Sequence, residues 1–199
     1  MNTNTTIQNE TVINLLNDLL LSDYTLSKNL LALVKVEARY IKDLKINVSN
    51  VLQNNQHLQK KEAYLLALAV AINEEFIFLQ QSFTTLAKQE GATEEEVAET
   101  IACTSLMNIN NIYYRFRHFV QKDYYATHPA GIKMTIMANP ILGKEFFELI
   151  SLVVSALNGC ASCIVTHEQS IIQHGGSEAR ILEVIKLGAV IKGLITVLK

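Results

Sequence analysis

Glycine is almost missing from the first two thirds of this chain. Gly91 is the sole glycine before residue 131, and Pro129 and Pro140 are the only prolines in 199 residues. These two residue types supply the tight turns between short strands, so a chain this poor in them cannot make the many reversals of an all-β fold. Apolar residues meanwhile recur three and four apart. Val12, Leu15, Leu16, Leu19 and Leu20 form one stripe, and Leu30, Leu33, Val34 and Ala38 begin another. That is the period of an amphipathic helix with one face turned to a core. The pattern predicts an all-α protein.

Punctuation divides the pattern into helices. Residues 1–9 read as a frayed polar tail, and Ser49, Asn50, Asn54 and Asn55 mark a loop before an apolar run from Ala63 to Ile72. Asn73 is followed by Glu74 and Glu75, an acidic start for the next helix that suits its N-terminal dipole. Gly91 ends that helix, and Thr93 to Glu96 reads as a capping box for the following one. The run from Cys103 to Tyr125 keeps a helical pattern. Thr127 to Gly143 holds both prolines and is the one long irregular stretch, the natural boundary between an N-terminal half (1–126) and a C-terminal half (127–199) of one compact domain.

The second half repeats the first. At an offset of 85 residues Asn73 falls on Asn158 and Gly91 on Gly176. In each copy one helix ends at Asn, a second at Gly, and a third follows a Thr or Ser cap, so two three-helix units can pack about a pseudo-two-fold axis. In this register Cys160, Cys163 and His167 correspond to Glu75, Phe78 and Ser82, which confines any chemistry to the C-terminal half.

Composition narrows the function classes. With 49% hydrophobic residues and a net charge of −2 the chain is too apolar and too little charged to be disordered. A pI near 6.2 gives no electrostatic reason to expect nucleic acid or an anionic membrane as partner. No apolar stretch approaches the roughly 20 residues that span a bilayer, and the polar start lacks the pattern of a secretory signal. Three cysteines are an odd number and too few to staple a protein of this size. The expected compartment is the reducing cytoplasm, where a close cysteine pair is usually catalytic, redox-active or metal-binding.

That pair is Cys160-Ala161-Ser162-Cys163. Asn158-Gly159 turns one apolar helix into the next and places Cys160 in the new opening turn, where unpaired N–H groups and the helix dipole favour a thiolate. Residues three apart share a helix face, so the two sulfurs can reach each other. His167 lies four residues beyond Cys163 on that face, and Glu148 lies twelve residues before Cys160 on the helix that must fold back beside it. A carboxylate among apolar residues is partly buried and can hold and release a proton. Together these groups make a dithiol with its own proton relay: one thiolate attacks a peroxide or disulfide, Glu148 and His167 supply the proton, and the second thiol resolves the intermediate. Zinc binding by Cys160, Cys163 and His167 with Glu148, and purely structural cysteines, are the competing readings of the pair.

Elsewhere the residues read as structure. Cys103 lies in an apolar helix as a small core residue, and His57, His128 and His174 carry no partner pattern. Arg115, Arg117 and His118 sit among Tyr113, Tyr114, Phe116 and Phe119, a cluster that reads as internal ion pairs or a subunit contact rather than a nucleic-acid platform. The stripe from Ile181 to Leu198, broken by Lys186 and Lys192, reads as core or subunit interface.

Glu148, Cys160-Ala161-Ser162-Cys163 and His167-Glu168 together resemble the active-site motif of the alkyl hydroperoxide reductase D family, within the all-helical carboxymuconolactone-decarboxylase-like superfamily. Tyr114 to His118 and Pro129 to Pro140 also resemble stretches of its longer members. The resemblance implies an AhpD-like helical fold with an internal repeat, a homotrimer, and an antioxidant enzyme acting as weak peroxidase and dithiol adaptor. It implies no tightly bound cofactor. Electrons would come from NADH through dihydrolipoamide dehydrogenase and the dihydrolipoamide group of a lipoyl-bearing acyltransferase, and pass to a partner peroxiredoxin. By position Cys163 would be the nucleophile that forms a sulfenic acid, Cys160 the proton donor and resolving thiol that closes the Cys160–Cys163 disulfide, and Glu148 with His167 the relay. Some members carry His directly before the second cysteine, where this chain has Ser162. Two other functions remain open: a decarboxylase or lactone-processing enzyme of the superfamily, and a zinc-bound or redox-sensing interaction module.

Overall fold

The computed structural model of the chain describes residues 9–199, and among them every regular element is helical. In order these are α1 (Glu10–Asp18), α2 (Lys28–Lys35), α3 (Tyr40–Leu52), α4 (Lys60–Asn73), α5 (Ile77–Gln89), α6 (Glu94–Val120), α7 (Asp123–Thr127), α8 (Lys144–Leu157), α9 (Ala161–Gln173) and α10 (Glu178–Leu198). A short 3-10 turn, Thr135–Met137, interrupts the long connection between α7 and α8. The all-α expectation holds. The polar tail expected over residues 1–9 lies, apart from Asn9, outside the described residues; Asn9 itself caps α1 by accepting from the Val12 N–H.

Local signals place most helix ends and miss a few. Thr93 and Glu96 form the expected capping box, each side chain bonding the other's backbone N–H. Ser49 and Asn50 lie inside α3, and the loop starts only at Gln53. Glu74 and Glu75 do not open α5. Glu74 is the C-cap of α4, Glu75 adopts φ +55°, and α5 begins at Ile77. The run from Cys103 breaks at Gln121, whose φ of +50° ends α6 before α7 starts.

The repeat is real at the level of helices but its register is 84 rather than 85. Helices α4 and α8 both have 14 residues, α5 and α9 both have 13. The left-handed residues that close them pair as Glu75 with Gly159 and Gly91 with Gly175. Each closure is the same: the residue after the left-handed one donates its N–H back into the ending helix, as Phe76 to Ala71, Cys160 to Ser155, Ala92 to Ala87 and Gly176 to Ile171. Of the adjacent glycines Gly175 and Gly176 only the first carries the turn, which moves the register by one residue. In the corrected register Cys160, Cys163 and His167 stand opposite Phe76, Leu79 and Phe83, and Glu148 opposite Tyr64.

Packing follows the same symmetry. Within each copy the first two helices form a hairpin, α4 with α5 and α8 with α9. The third helix of each copy crosses to the other copy, so that α6 lies on α8 and α10 lies on α4, while α4 and α8 meet at the centre. One contiguous core runs through all of them, from Val12 to Leu198, and α1–α3 close it by packing on α10 and one another. Arg180 of α10 ties the ends together: it bonds Glu62 of α4 at 2.6 Å and Glu145 of α8 at 2.8 Å.

The close approach of α10 to α8 depends on Gly188. A Cβ there would lie 2.4 Å from Cγ2 of Val153, which is 1% exposed and, being β-branched, has little freedom to turn away. Gly188→Ala gains about 1 kcal/mol of helix propensity but forces the two helices apart, an overpacking cost of about 1–3 kcal/mol. The expected net result is a lower unfolding midpoint in a thermal melt. An unchanged or raised midpoint would show that the helix pair yields without strain.

Candidate active site

Helix α8 ends in a reversal that the sequence spells out as Asn158-Gly159-Cys160. Asn158 caps the helix, Gly159 takes φ +67°, and the Cys160 N–H returns to Ser155 O at 3.0 Å. Glycine suits this position because a left-handed backbone costs an ordinary residue about 1 kcal/mol. The carbonyl of Cys160 then accepts the first bond of α9, from Ile164. Cys160 is therefore the N-cap of α9, one residue ahead of the opening turn expected for it. Cys163 is the third residue of that helix, among backbone N–H groups that lack helical acceptors.

The two sulfurs stand 2.10 Å apart, at bonding distance, with Cα atoms 5.3 Å apart. They differ in access. Cys160 is fully buried, whereas Cys163 keeps 7% of its surface and lines a cavity of about 360 Å³. Ser162, Thr166 and His167 line it from α9, Asn110 and Tyr114 from α6, and Met134 and Met137 from the long connection.

The reversal lays α9 back along α8, and this brings Glu148 to His167. Nδ1 of His167 lies 2.6 Å from Oε2 of Glu148, and Lys144, one turn earlier on α8, holds Oε1 at 3.0 Å. Both partners of the first bond are buried, at 3% and 7% exposure. Burial alone pushes the Glu148 carboxyl up, but the hydrogen bonds and charges of His167 and Lys144 outweigh it and hold the group below its ordinary value. Tying Nδ1 to the carboxylate leaves Nε2 as the histidine's other proton-transfer atom.

Asparagines anchor the turn itself. The Asn158 amide donates to Asn108 and Asn111 and accepts from Asn73, and Asn111 donates to Ser155. Arg115 donates to the Asn158 carbonyl at 2.5 Å, and Arg117 to that of Ala126. Among the described residues neither arginine meets a carboxylate, so of the two expected readings, internal ion pairs or a subunit contact, the first is replaced by bonds to backbone oxygens. Cys103 is buried beside Ser151, 3.4 Å from its hydroxyl, and burial pushes its thiol up to about 12. Among the described residues no three His, Cys, Asp or Glu side chains form a group suited to a metal ion.

The protein named alkyl hydroperoxide reductase AhpD of Coxiella burnetii (strain RSA 493 / Nine Mile phase I) is 41% identical over 161 residues, covering 78% of this chain and 88% of its own. Its namesake in Maricaulis maris (strain MCS10) is 38% identical over 165 residues, with 80% and 91% coverage. The chain belongs to the AhpD family. A model of the carboxymuconolactone decarboxylase family also matches residues 125–199, the part that carries the cysteine pair.

Within this AhpD-family chain the structure brings together all four sequence-chosen residues, Glu148, Cys160, Cys163 and His167, on the α8–α9 hairpin. Sequence reasoning missed Lys144 and Asn110. Lys144 stands one helical turn before Glu148, an i,i+4 spacing that a scan for carboxylate partners would have caught. Asn110 has no local signal, because α6 reaches the site only through tertiary packing.

The Glu148 interactions have a pH signature. A carboxyl held below its ordinary value of 4.5 stabilises the folded state above that pH, and the contribution is lost as pH falls through the lowered value. Glu148→Gln removes this dependence. Thermal midpoints measured from pH 7 to pH 3 are expected to fall more steeply below about pH 4.5 in the parent than in the variant. Parallel curves would mean that Glu148 is not held as described.

Proposed function

We propose that this chain is an antioxidant thiol oxidoreductase that cycles Cys160 and Cys163 between dithiol and disulfide. The observation that carries the reading is a pair of cysteines at bonding distance, one facing a cavity, with a buried Glu148–His167 hydrogen bond on the same hairpin. Relatives named alkyl hydroperoxide reductase support the substrate class.

In this reading Cys163 acts as thiolate, favoured by the start of α9. It attacks a hydroperoxide and becomes a sulfenic acid while the departing alkoxide takes a proton from the Cys160 thiol. Cys160 then attacks the Cys163 sulfur, closing the disulfide and releasing water. Glu148 and His167 shuttle protons between the thiols and the cavity. Dihydrolipoamide on a lipoyl-bearing acyltransferase reopens the disulfide through a mixed disulfide at Cys163, the more accessible sulfur, and dihydrolipoamide dehydrogenase restores that donor from NADH. The same dithiol passes electrons to a partner peroxiredoxin, with direct hydroperoxide reduction as a weak second activity. No cofactor is held tightly. Ser162, standing where some relatives carry His, adds no titratable group.

The chain works as a homotrimer in the cytoplasm. Ile109, Ile112, Phe116 and Phe119 support assembly: they are three and four apart on α6, are 47–72% exposed, and form an apolar stripe of the kind covered by another subunit. Among the described residues no helix is long and apolar enough to cross a membrane.

Peroxide-treated protein is expected to show a Cys160–Cys163 linkage by mass spectrometry, reopened by dihydrolipoamide. Cys160→Ser and Cys163→Ser should each abolish turnover, while Cys103→Ser, at a buried and unreactive thiol, should leave it within about twofold. Two untouched thiols after peroxide treatment would end this reading.

A further inference from the structure

One buried polar atom is left over on a residue that lines the cavity. Among the described residues the sole buried side-chain nitrogen or oxygen without a hydrogen-bond partner is Oδ1 of Asn110. Asn110 is 6% exposed and lines the cavity that holds Cys163 and His167. Its Nδ2 donates only to the thioether of Met134, at 3.3 Å, and sulfur is a weak acceptor. The neighbouring Asn108 and Asn111 differ, each using both ends of its amide. A buried carbonyl with no donor costs about 1–3 kcal/mol, and such an atom in a native structure calls for a reason such as a functional role or a bound group. Met134, Met137 and Tyr114 give the rest of the cavity a largely apolar lining.

We propose that Asn110 binds the substrate of the peroxidase reaction: its Oδ1 accepts the O–H of an organic hydroperoxide whose carbon chain lies against Met134, Met137 and Tyr114. This rests on the dithiol reading above. The amide, held only by a thioether, turns about its Cβ–Cγ bond to meet the ligand. Accepting that hydrogen fixes the terminal oxygen for attack by the Cys163 thiolate. The S–O bond forms as the O–O bond breaks, sulfur gives up two electrons, and the alkoxide leaves with a proton from Cys160 to become the alcohol. The transferred oxygen keeps its hydrogen, so the bond to Asn110 passes to the Cys163 sulfenic acid. Cys160, now a thiolate, attacks that sulfur, and the expelled hydroxide takes a proton from solvent to become water. A dithiol reductant presents no such O–H group, so Asn110 serves one half of the cycle.

The test separates the two half-reactions in single-turnover experiments on the full-length protein, using cumene hydroperoxide as oxidant and dihydrolipoamide as reductant. Asn110→Leu is expected to slow oxidation by cumene hydroperoxide about tenfold relative to reduction by dihydrolipoamide, the value of one hydrogen bond. Its thermal midpoint should be equal to or above that of the parent, because an unsatisfied buried acceptor is replaced by an apolar group. Asn110→Ala supplies the same comparison if the leucine variant fails to fold. Equal slowing of both half-reactions, or undiminished oxidation, would overturn the assignment. A parent protein that forms no disulfide with the hydroperoxide at all would instead refute the dithiol reading, and this inference with it.

Discussion

The site depends on a single reversal of the chain, in which Cys160 serves two helices at once. Its N–H closes α8 on Ser155, and its carbonyl opens α9 by accepting from Ile164. With both backbone groups committed, Cys160 couples the end of α8 directly to the start of α9. Glu148, about two and a half turns before the end of α8, then faces His167, near the middle of α9. The 2.6 Å bond between them is thus a consequence of how one helix stops, as is the position of Cys163 at the first turn of the next. Asn158, held by Asn73, Asn108 and Asn111 and by Arg115 on its carbonyl, makes the stopping point rigid.

The first copy shows what the same reversal does without chemistry. Glu75 takes the left-handed position of Gly159, and Phe76, Leu79, Phe83 and Tyr64 occupy the places of Cys160, Cys163, His167 and Glu148. All four of these aromatic or aliphatic side chains are at most 6% exposed. The partner helices match this division. Helix α10 offers Leu187, Leu194 and Ile195 to the apolar hairpin, and at the corresponding places α6 carries Cys103, Asn110 and Asn111 toward the polar one. The site's polar groups lie on one side of a symmetric frame, and the other side is mainly apolar, with Ser82 of α5 its buried polar exception.

This division explains what was legible in the sequence. Helix periodicity, the Thr93 capping box and the Asn158-Gly159 turn are local, so fold class and the four site residues could be read from spacing. The repeat was visible but slipped by one residue, since adjacent Gly175 and Gly176 are alike on paper and only φ tells which of them turns the chain. Glu74 and Glu75 were misplaced for a related reason. An acidic pair before a helix looks like an N-terminal charge, but here it belongs to the end of the preceding helix. In the sequence Arg115 reads only as one of a cluster, because its bond to the Asn158 carbonyl depends on α6 lying across the end of α8. Contacts of α6 with the site span 24 to 50 residues of sequence, and no periodicity encodes them.

Burying Glu148 and His167 together is costly, and the structure offsets the cost locally. A buried carboxylate offsets its desolvation only when hydrogen bonds satisfy its remaining lone pairs as well. Lys144 provides one on the second carboxylate oxygen and keeps its own ammonium partly in solvent, so that the carboxylate's charge is met by a cation that is not itself fully buried. The lysine is itself placed by the start of α8, where its Nζ also donates to Met137 O, on the connection that roofs the cavity. That connection is pinned a second time by Glu99 of α6, whose carboxylate accepts from the N–H groups of Ile141 and Leu142 at 2.8 and 2.7 Å. The irregular segment between the two halves is therefore tied to the relay through Lys144 and to α6 through Glu99. Its two methionines supply apolar, pliable walls over a reactive sulfur, and the rigid hairpin beneath supplies the geometry.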